Sequence, residues 1–113
     1  MNDKLTVIWT SGDKEVALHM AFMYAKNAKL KGWWNEVDLV IWGPSDRLAA
    51  EDPDIQEELK LMQHVGVNLK ACITCAMRYG VREKLEELGV EVIAMGPPLT
   101  EELKKEGSAV LTI

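Results

Sequence analysis

The stretch NLKACITCAMRYG, residues 68–80, holds both cysteines of the chain, Cys72 and Cys75, three positions apart. The residues before them read as a strand and those after them as a helix. A thiol at such a junction feels the positive end of the helix dipole and can accept hydrogen bonds from unpaired backbone N–H groups, and both favour thiolate over thiol. That placement can bring a cysteine from ~8.5 to about 7 or lower, which makes a nucleophile at neutral pH. The same position also suits a small buried hydrophobe, as free cysteines often are. Cys75, one helical turn later, reads either as an inert packing residue or as a resolving thiol. Arg78 and Arg82 are close enough in sequence to add positive potential.

Other chemistries find little support. Two cysteines and two histidines, with His19 and His64 on different predicted helices, lack the spacing of a zinc motif, so no metal is expected. His19 falls on the polar seam of the first helix and His64 near a helix C-terminus, so both are expected at the surface or in an interface. Ser11 and Ser45 have no hydrolase motif around them, and GPS (43–45) is not a nucleophile elbow. TSGDKE (10–15) has one glycine before a helix but neither the G-x-G-x-x-G nor the P-loop pattern, so it reads as a tight turn more readily than as an anion site. No motif calls for a cofactor.

The composition frames these residues. The chain has 113 residues, 48% hydrophobic and 27% charged, enough for one domain with one core spanning 1–113 and needing no disulfide. Eighteen acidic against thirteen basic residues give a formal charge of -5. The basic residues are dispersed, which argues against direct nucleic-acid binding. The opening apolar run is too short for a secretory signal and no segment approaches a membrane span, so a cytoplasmic protein with no membrane partner is expected. In that reducing compartment a cysteine pair is more often catalytic, redox-active or metal-binding than a structural disulfide.

Strand patterns at 4–9 (KLTVIW), 37–42 (VDLVIW), 67–71 (VNLKA), 90–95 (VEVIAM) and 108–113 (SAVLTI) alternate with helical ones. Residues 14–31 form the first helix, apolar on two stripes, with Ser11 or Asp13 as its cap. A helix apolar on most of its circumference needs covering on two sides, by its own sheet and by something else, such as another subunit. A short helix starts in GPSDRLAAED, Pro53 opens the next one and Gly66 ends it. The helix after the cysteines is interrupted near Gly80 and stops at Gly89, and GPPLTEELKKEG carries the last. The predicted fold is α/β: a single domain with a mainly parallel five-stranded sheet and helices on both faces. Strand order is not legible.

Ligands of open α/β sheets bind beyond the carboxyl ends of the strands. That edge collects Ser11 and Gly12 after the first strand, Gly43 and Ser45 after the second, Cys72 after the third and Gly96 after the fourth. These are the candidate site: Cys72 and Cys75 for chemistry, the others for binding. Trp9 and Trp42, at two strand ends, are candidates to wall the crevice. Trp33 and Trp34 cannot share a helix face, so one of them is expected to be exposed or in a contact.

Along nearly its whole length the sequence resembles the DsrE/DsrF-like family of small sulfur-relay proteins, most specifically in GVNLKACITCAMRYGV. The resemblance implies that Cys72, at the strand end, carries sulfur as a persulfide and passes it to a partner protein. Cys75 falls where relatives often have serine or another small residue and is not carried over as essential. It further implies an α/β sandwich forming homotrimers, hexamers or mixed oligomers, with sulfur donor and acceptor proteins as partners in cytoplasmic sulfur trafficking. Two readings compete with a carrier: a C-x-x-C thiol–disulfide protein in which Cys75 resolves, and a non-enzymatic oligomer holding a small ligand in the strand-end crevice.

Overall fold

In a computed structural model the described residues are 3–113, so the first two positions of the predicted domain lie outside them. The elements alternate as the hydrophobic pattern requires. Strand β1 (Lys4–Trp9) leads to a helix built of α1 (Lys14–Val16), a π-helical turn (Ala17–Ala21) and α2 (Phe22–Leu30). Then come β2 (Glu36–Ile41), α3 (Ser45–Glu51), α4 (Pro53–Val65), β3 (Asn68–Cys72), α5 (Ile73–Arg78), α6 (Arg82–Glu87), β4 (Glu91–Ile93), α7 (Gly96–Lys104) and β5 (Ser108–Thr112).

The punctuation follows side-chain chemistry. Asp13 rather than Ser11 caps the first helix, its Oδ1 accepting from the N–H groups of Glu15 at 2.8 Å and Val16 at 3.2 Å. Asp52 does the same for α4, with Pro53 in the first turn where a missing N–H costs nothing. Gly66 ends α4 with φ +105, a left-handed conformation that favours glycine, while the Val67 N–H closes back on the Met62 carbonyl at 2.9 Å. Gly80 (φ +68) separates α5 from α6. The fourth strand is shorter than its apolar run, because Met95 and the Gly96-Pro97-Pro98 run already open α7.

All five strands are parallel in the order β4-β3-β2-β1-β5. From β1 to β4 the chain steps steadily one way across the sheet, then returns past β1 to form β5. Right-handed crossovers taken in opposite directions place their helices on opposite faces. One face therefore carries α1 to α6 and the other carries α7 alone.

The strand residues sort accordingly. Leu5, Val7, Trp9, Val37, Leu39, Ile41, Leu69 and Ala71 join the large core under α1–α6, with Phe22, Ile55, Leu59 and Met62. Each fully buried Leu, Ile or Met there is worth roughly 2 kcal/mol of transfer free energy. Ile8, Val40, Cys72 and Met95 form a smaller cluster on the α7 face, packed by Trp42, Cys75, Ile93, Leu99 and Val110. The fold is thus α/β with helices on both faces, as expected, but the coverage is unequal.

The expectation that Trp9 walls a crevice does not hold. It is wholly buried in the large core, edge-on to Phe22 at 4.7 Å, because an odd-numbered residue of β1 faces α1–α6. Trp42 is half-buried beside Cys72's cluster. Trp33 is exposed and Trp34 packs on the core.

At the amino ends of the strands the α7 face is ionic. Asp38, alone in an apolar run, is buried and meets Lys4 Nζ at 3.0 Å, Lys70 Nζ at 2.9 Å and Asn68 Nδ2 at 2.9 Å. Lys4 also meets Glu36 and Glu102. Burial pushes the Asp38 carboxyl up, but the bonds from Asn68, Lys70 and Lys4 outweigh it and hold the group below its ordinary value.

Candidate functional site

The onward connections of β3 and β4 part company: α5 turns to one face and α7 to the other. The strand order itself reverses between β1 and β5, whereas β3 and β4 send their connections towards each other, one over each face of the sheet. Cys72 is the last residue of β3 and pairs in register with Ile93, the last of β4. Its backbone is still extended (φ -72, ψ 120) and the next residue begins α5. Strand alternation sends its side chain to the α7 face, away from Ala71, so the sulfur packs with Ile8, Val40 and Met95. Cys72 is only 5% exposed. Cys75, on the first turn of α5, is half-buried beside it.

The neighbouring loops are stitched together at the same edge. The Ser45 hydroxyl donates to the Trp9 carbonyl at 2.6 Å and its N–H to the Thr10 carbonyl at 3.1 Å, joining the end of β1 to the start of α3. Ser45 is wholly buried in this role. A ligand would have to take its hydroxyl from Trp9, so among the predicted binding residues it serves as scaffold. Ser11 Oγ accepts from the Asp13 N–H at 3.1 Å. Gly12 lies against Pro44, where a Cβ would come within 3.3 Å of the proline ring. Gly96 is exposed at the start of α7, with nothing within 4 Å of where a Cβ would stand.

Gly43 matters through its backbone. Its φ of +109 is a conformation that side chains disfavour, and its N–H donates to Asp46 Oδ2 at 3.0 Å. The same N–H also bears on the Cys75 sulfur. Asp46 is fully buried, and its other oxygen, Oδ1, has no hydrogen-bond partner. Burial pushes its carboxyl up to about 6, against the pull of the N–H groups of Gly43 and of Asp46 itself. Cys75 is also raised: by burial first, then by the charges of Cys72 and Asp46. Two sulfurs and a carboxylate therefore share one desolvated patch, where negative charge on one member opposes it on the others.

The edge thus brings Cys72, Cys75 and Gly43 together, while Ser11 bonds to Asp13 and Gly12 lies against Pro44. Arg78 is exposed, and Arg82 is exposed and pairs with Glu86 at 3.7 Å. His19 and His64 are at the surface. Asp46 is the group that sequence reasoning missed. In GPSDRLAAED an acidic residue in a first helical turn reads as ordinary dipole compensation. The available signal was its spacing three after Gly43, which lets the side chain reach back to that N–H as in a capping box. Among the described residues no group of three or more His, Cys, Asp or Glu is placed to hold a metal. None of their helices is long and apolar enough to cross a membrane.

Comparison with known proteins places these features in context. The family model described as DsrE/DsrF-like matches residues 3–113. A solved structure of a conserved protein of unknown function, BT1422 from Bacteroides thetaiotaomicron, is 40% identical. It superposes with a TM-score of 0.92 over 98% of this chain and 95% of that one. The ychN protein from E. coli superposes with a TM-score of 0.73 over 100% of both chains at 19% identity, a likeness of fold. No curated protein matches.

Proposed function

The chain belongs to the DsrE/DsrF-like family, and from that premise we propose that it is a cytoplasmic sulfur carrier, holding sulfane sulfur as a persulfide on Cys72 and passing it to a partner thiol. The observation that carries this reading is the position of Cys72: the end of β3, beside the point where the onward chains leave the sheet on opposite faces. The Cys72 thiolate attacks the outer sulfur of a donor persulfide and the donor leaves as its thiolate. An acceptor thiolate then attacks the outer sulfur on Cys72, which leaves in its turn as thiolate. Both steps follow the displacement logic of thiol–disulfide exchange and need no other catalytic group.

Burial sets a condition on this chemistry. At 5% exposure, Cys72 meets a donor only if part of its cover moves. Met95 is the movable part: unbranched, with three rotatable bonds, and next to the unobstructed Gly96. Once loaded, the outer sulfur stands about 2 Å beyond Sγ. A homo-oligomer, trimer or hexamer, belongs to the same reading. Met20 and Met23 are 46% and 49% exposed on the first helix, with Leu30 and Trp33 at its end. Those side chains are what another subunit would cover.

The nearness of Cys75 to Cys72 supports a second reading, a dithiol redox protein. Intact-mass measurement after exposure to polysulfide separates the two. Wild type and Cys75→Ser gain one sulfur and Cys72→Ser gains none if the chain is a carrier. Absence of the adduct from wild type, or its persistence in Cys72→Ser, contradicts that reading.

A further inference from the structure

Asp46 has no part in the transfer chemistry, yet it is fully buried, and its Oδ1 has no hydrogen-bond partner among the described residues. A carboxylate kept in such a place, where a hydrophobic residue would be more stable, points to a task. Its neighbours show which. β2 and β3 pair in register, Ile41 beside Ala71, so the Gly43–Asp46 turn and the Cys72–Cys75 turn leave neighbouring strand ends, and the Gly43 N–H that donates to Asp46 Oδ2 at 3.0 Å also bears on the Cys75 sulfur. Resting on the carrier reading, we propose that the buried Asp46 carboxylate is a positioning residue that holds Cys75 as a thiol, so that Cys75 does not discharge a persulfide on Cys72.

The hazard is intrinsic to two cysteines side by side. A persulfide on Cys72 has an inner and an outer sulfur. If Cys75 attacks the inner one, a Cys72–Cys75 bond forms and the bond to the outer sulfur breaks. The outer sulfur leaves with the electron pair and takes the Cys75 proton, departing as hydrosulfide. The cysteines end as a disulfide, the sulfane sulfur is reduced to sulfide, and no outside oxidant or reductant takes part. The cargo is lost without reaching an acceptor. Only the thiolate of Cys75 attacks at a useful rate, so any group that keeps Cys75 protonated protects the cargo.

A carboxylate could instead act as a base towards Cys75, but the energies oppose that. A carboxyl that titrates near 6 is too weak a base to take the proton of a thiol raised above its ordinary value. What it does at close range is repel the second negative charge. Cys72 and Asp46 are the charged groups that bear on Cys75, so replacing Cys72 leaves Asp46 as the one to be tested.

The first measurement is the pH profile of Cys75 alkylation by iodoacetamide, read by mass spectrometry in Cys72→Ser, with and without Asp46→Asn. The expected result is a profile displaced to lower pH by Asp46→Asn, with a several-fold faster rate at pH 7.5. A merely loosened fold raises the rate at every pH without moving the profile. A profile that stays in place overturns the proposal. The second measurement is the lifetime of the sulfur adduct on polysulfide-treated protein that retains Cys72. Asp46→Asn is expected to shorten it with release of hydrosulfide and formation of a disulfide, and Cys75→Ser added to Asp46→Asn to restore it. A lifetime equal to wild type in Asp46→Asn overturns the proposal. Failure of wild type and of every variant that retains Cys72 to take up sulfur removes the carrier reading, while the alkylation profile still decides what Asp46 does to Cys75.

Discussion

Replacing Asp46 by Asn is expected to stabilise the protein, and to do so more at neutral than at acid pH. Burial pushes the folded carboxyl up to about 6 from its ordinary value of 3.8. Charging it in the fold therefore costs ~3 kcal/mol more than charging it in the unfolded chain, at 1.36 kcal/mol for each tenfold change. The sign follows from proton counts. Between those two values the folded state binds more protons than the unfolded one, so raising the pH through that window removes stability, and above it the whole penalty is present. At pH 7.5 nearly all ~3 kcal/mol applies, whereas at pH 4.5 about 1 kcal/mol does. Asn has the same shape and no charge, so the gain from Asp46→Asn should be about 2 kcal/mol larger at pH 7.5 than at pH 4.5. Taking the difference between two pH values cancels whatever the amide itself costs in packing or in unmade hydrogen bonds. Urea denaturation of both proteins at both pH values, fitted with a common slope, gives that difference directly. A gain equal at the two pH values, or larger at pH 4.5, would refute the account of Asp46 as a buried charge held at a cost.

Two further outcomes follow from the scaffold. Asp38→Asn removes the shared partner of Lys4 and Lys70 and should destabilise the fold by about 3 kcal/mol. Because the folded carboxyl is held low, its contribution is present above the ordinary aspartate range and lost as the pH falls below it, so urea midpoints of wild type and Asp38→Asn should converge towards pH 3. Parallel midpoints across the pH range would contradict the pairing. Gly43→Ala forces a side chain into φ +109 and should cost about 1–2 kcal/mol in thermal or urea unfolding, and an unchanged stability would show that this loop relaxes freely.

Much of the architecture was legible because the signals were local. Apolar runs of five or six residues, the cap offered by Ser11 or Asp13, Pro53 and Gly66 each act within a few positions of themselves, and the structure uses them where the pattern placed them, with Asp13 taking the cap. Strand order was not, because a crossover of either direction has the same hydrophobic pattern. Yet it is the order β4-β3-β2-β1-β5 that puts the β3 end, and Cys72 with it, where the onward chains separate. The face of each strand residue was equally hidden: Trp9 and Trp42 both end strands, but pleating sends one into the large core and the other towards Cys72.

The site divides the same way. Cys72, Cys75 and Gly43 could be gathered at one edge from the strand ends alone. What the sequence concealed is burial: Ser45 turned inward to hold Trp9, Cys72 nearly closed off, and Asp46 with no outlet for its charge. Asp38 left a visible trace, an acid in the middle of an apolar run, whose partners Lys4 and Lys70 lie on flanking strands and appear only once those strands are aligned.

The measurement closest to the proposed chemistry is the location of the added sulfur, mapped by peptide sequencing in the mass spectrometer on polysulfide-treated wild type and Cys75→Ser after brief alkylation. A carrier built on the β3 edge places the extra sulfur on Cys72 in both proteins. Sulfur found on Cys75 alone, or a Cys72 that emerges as unmodified thiol in both, would contradict it.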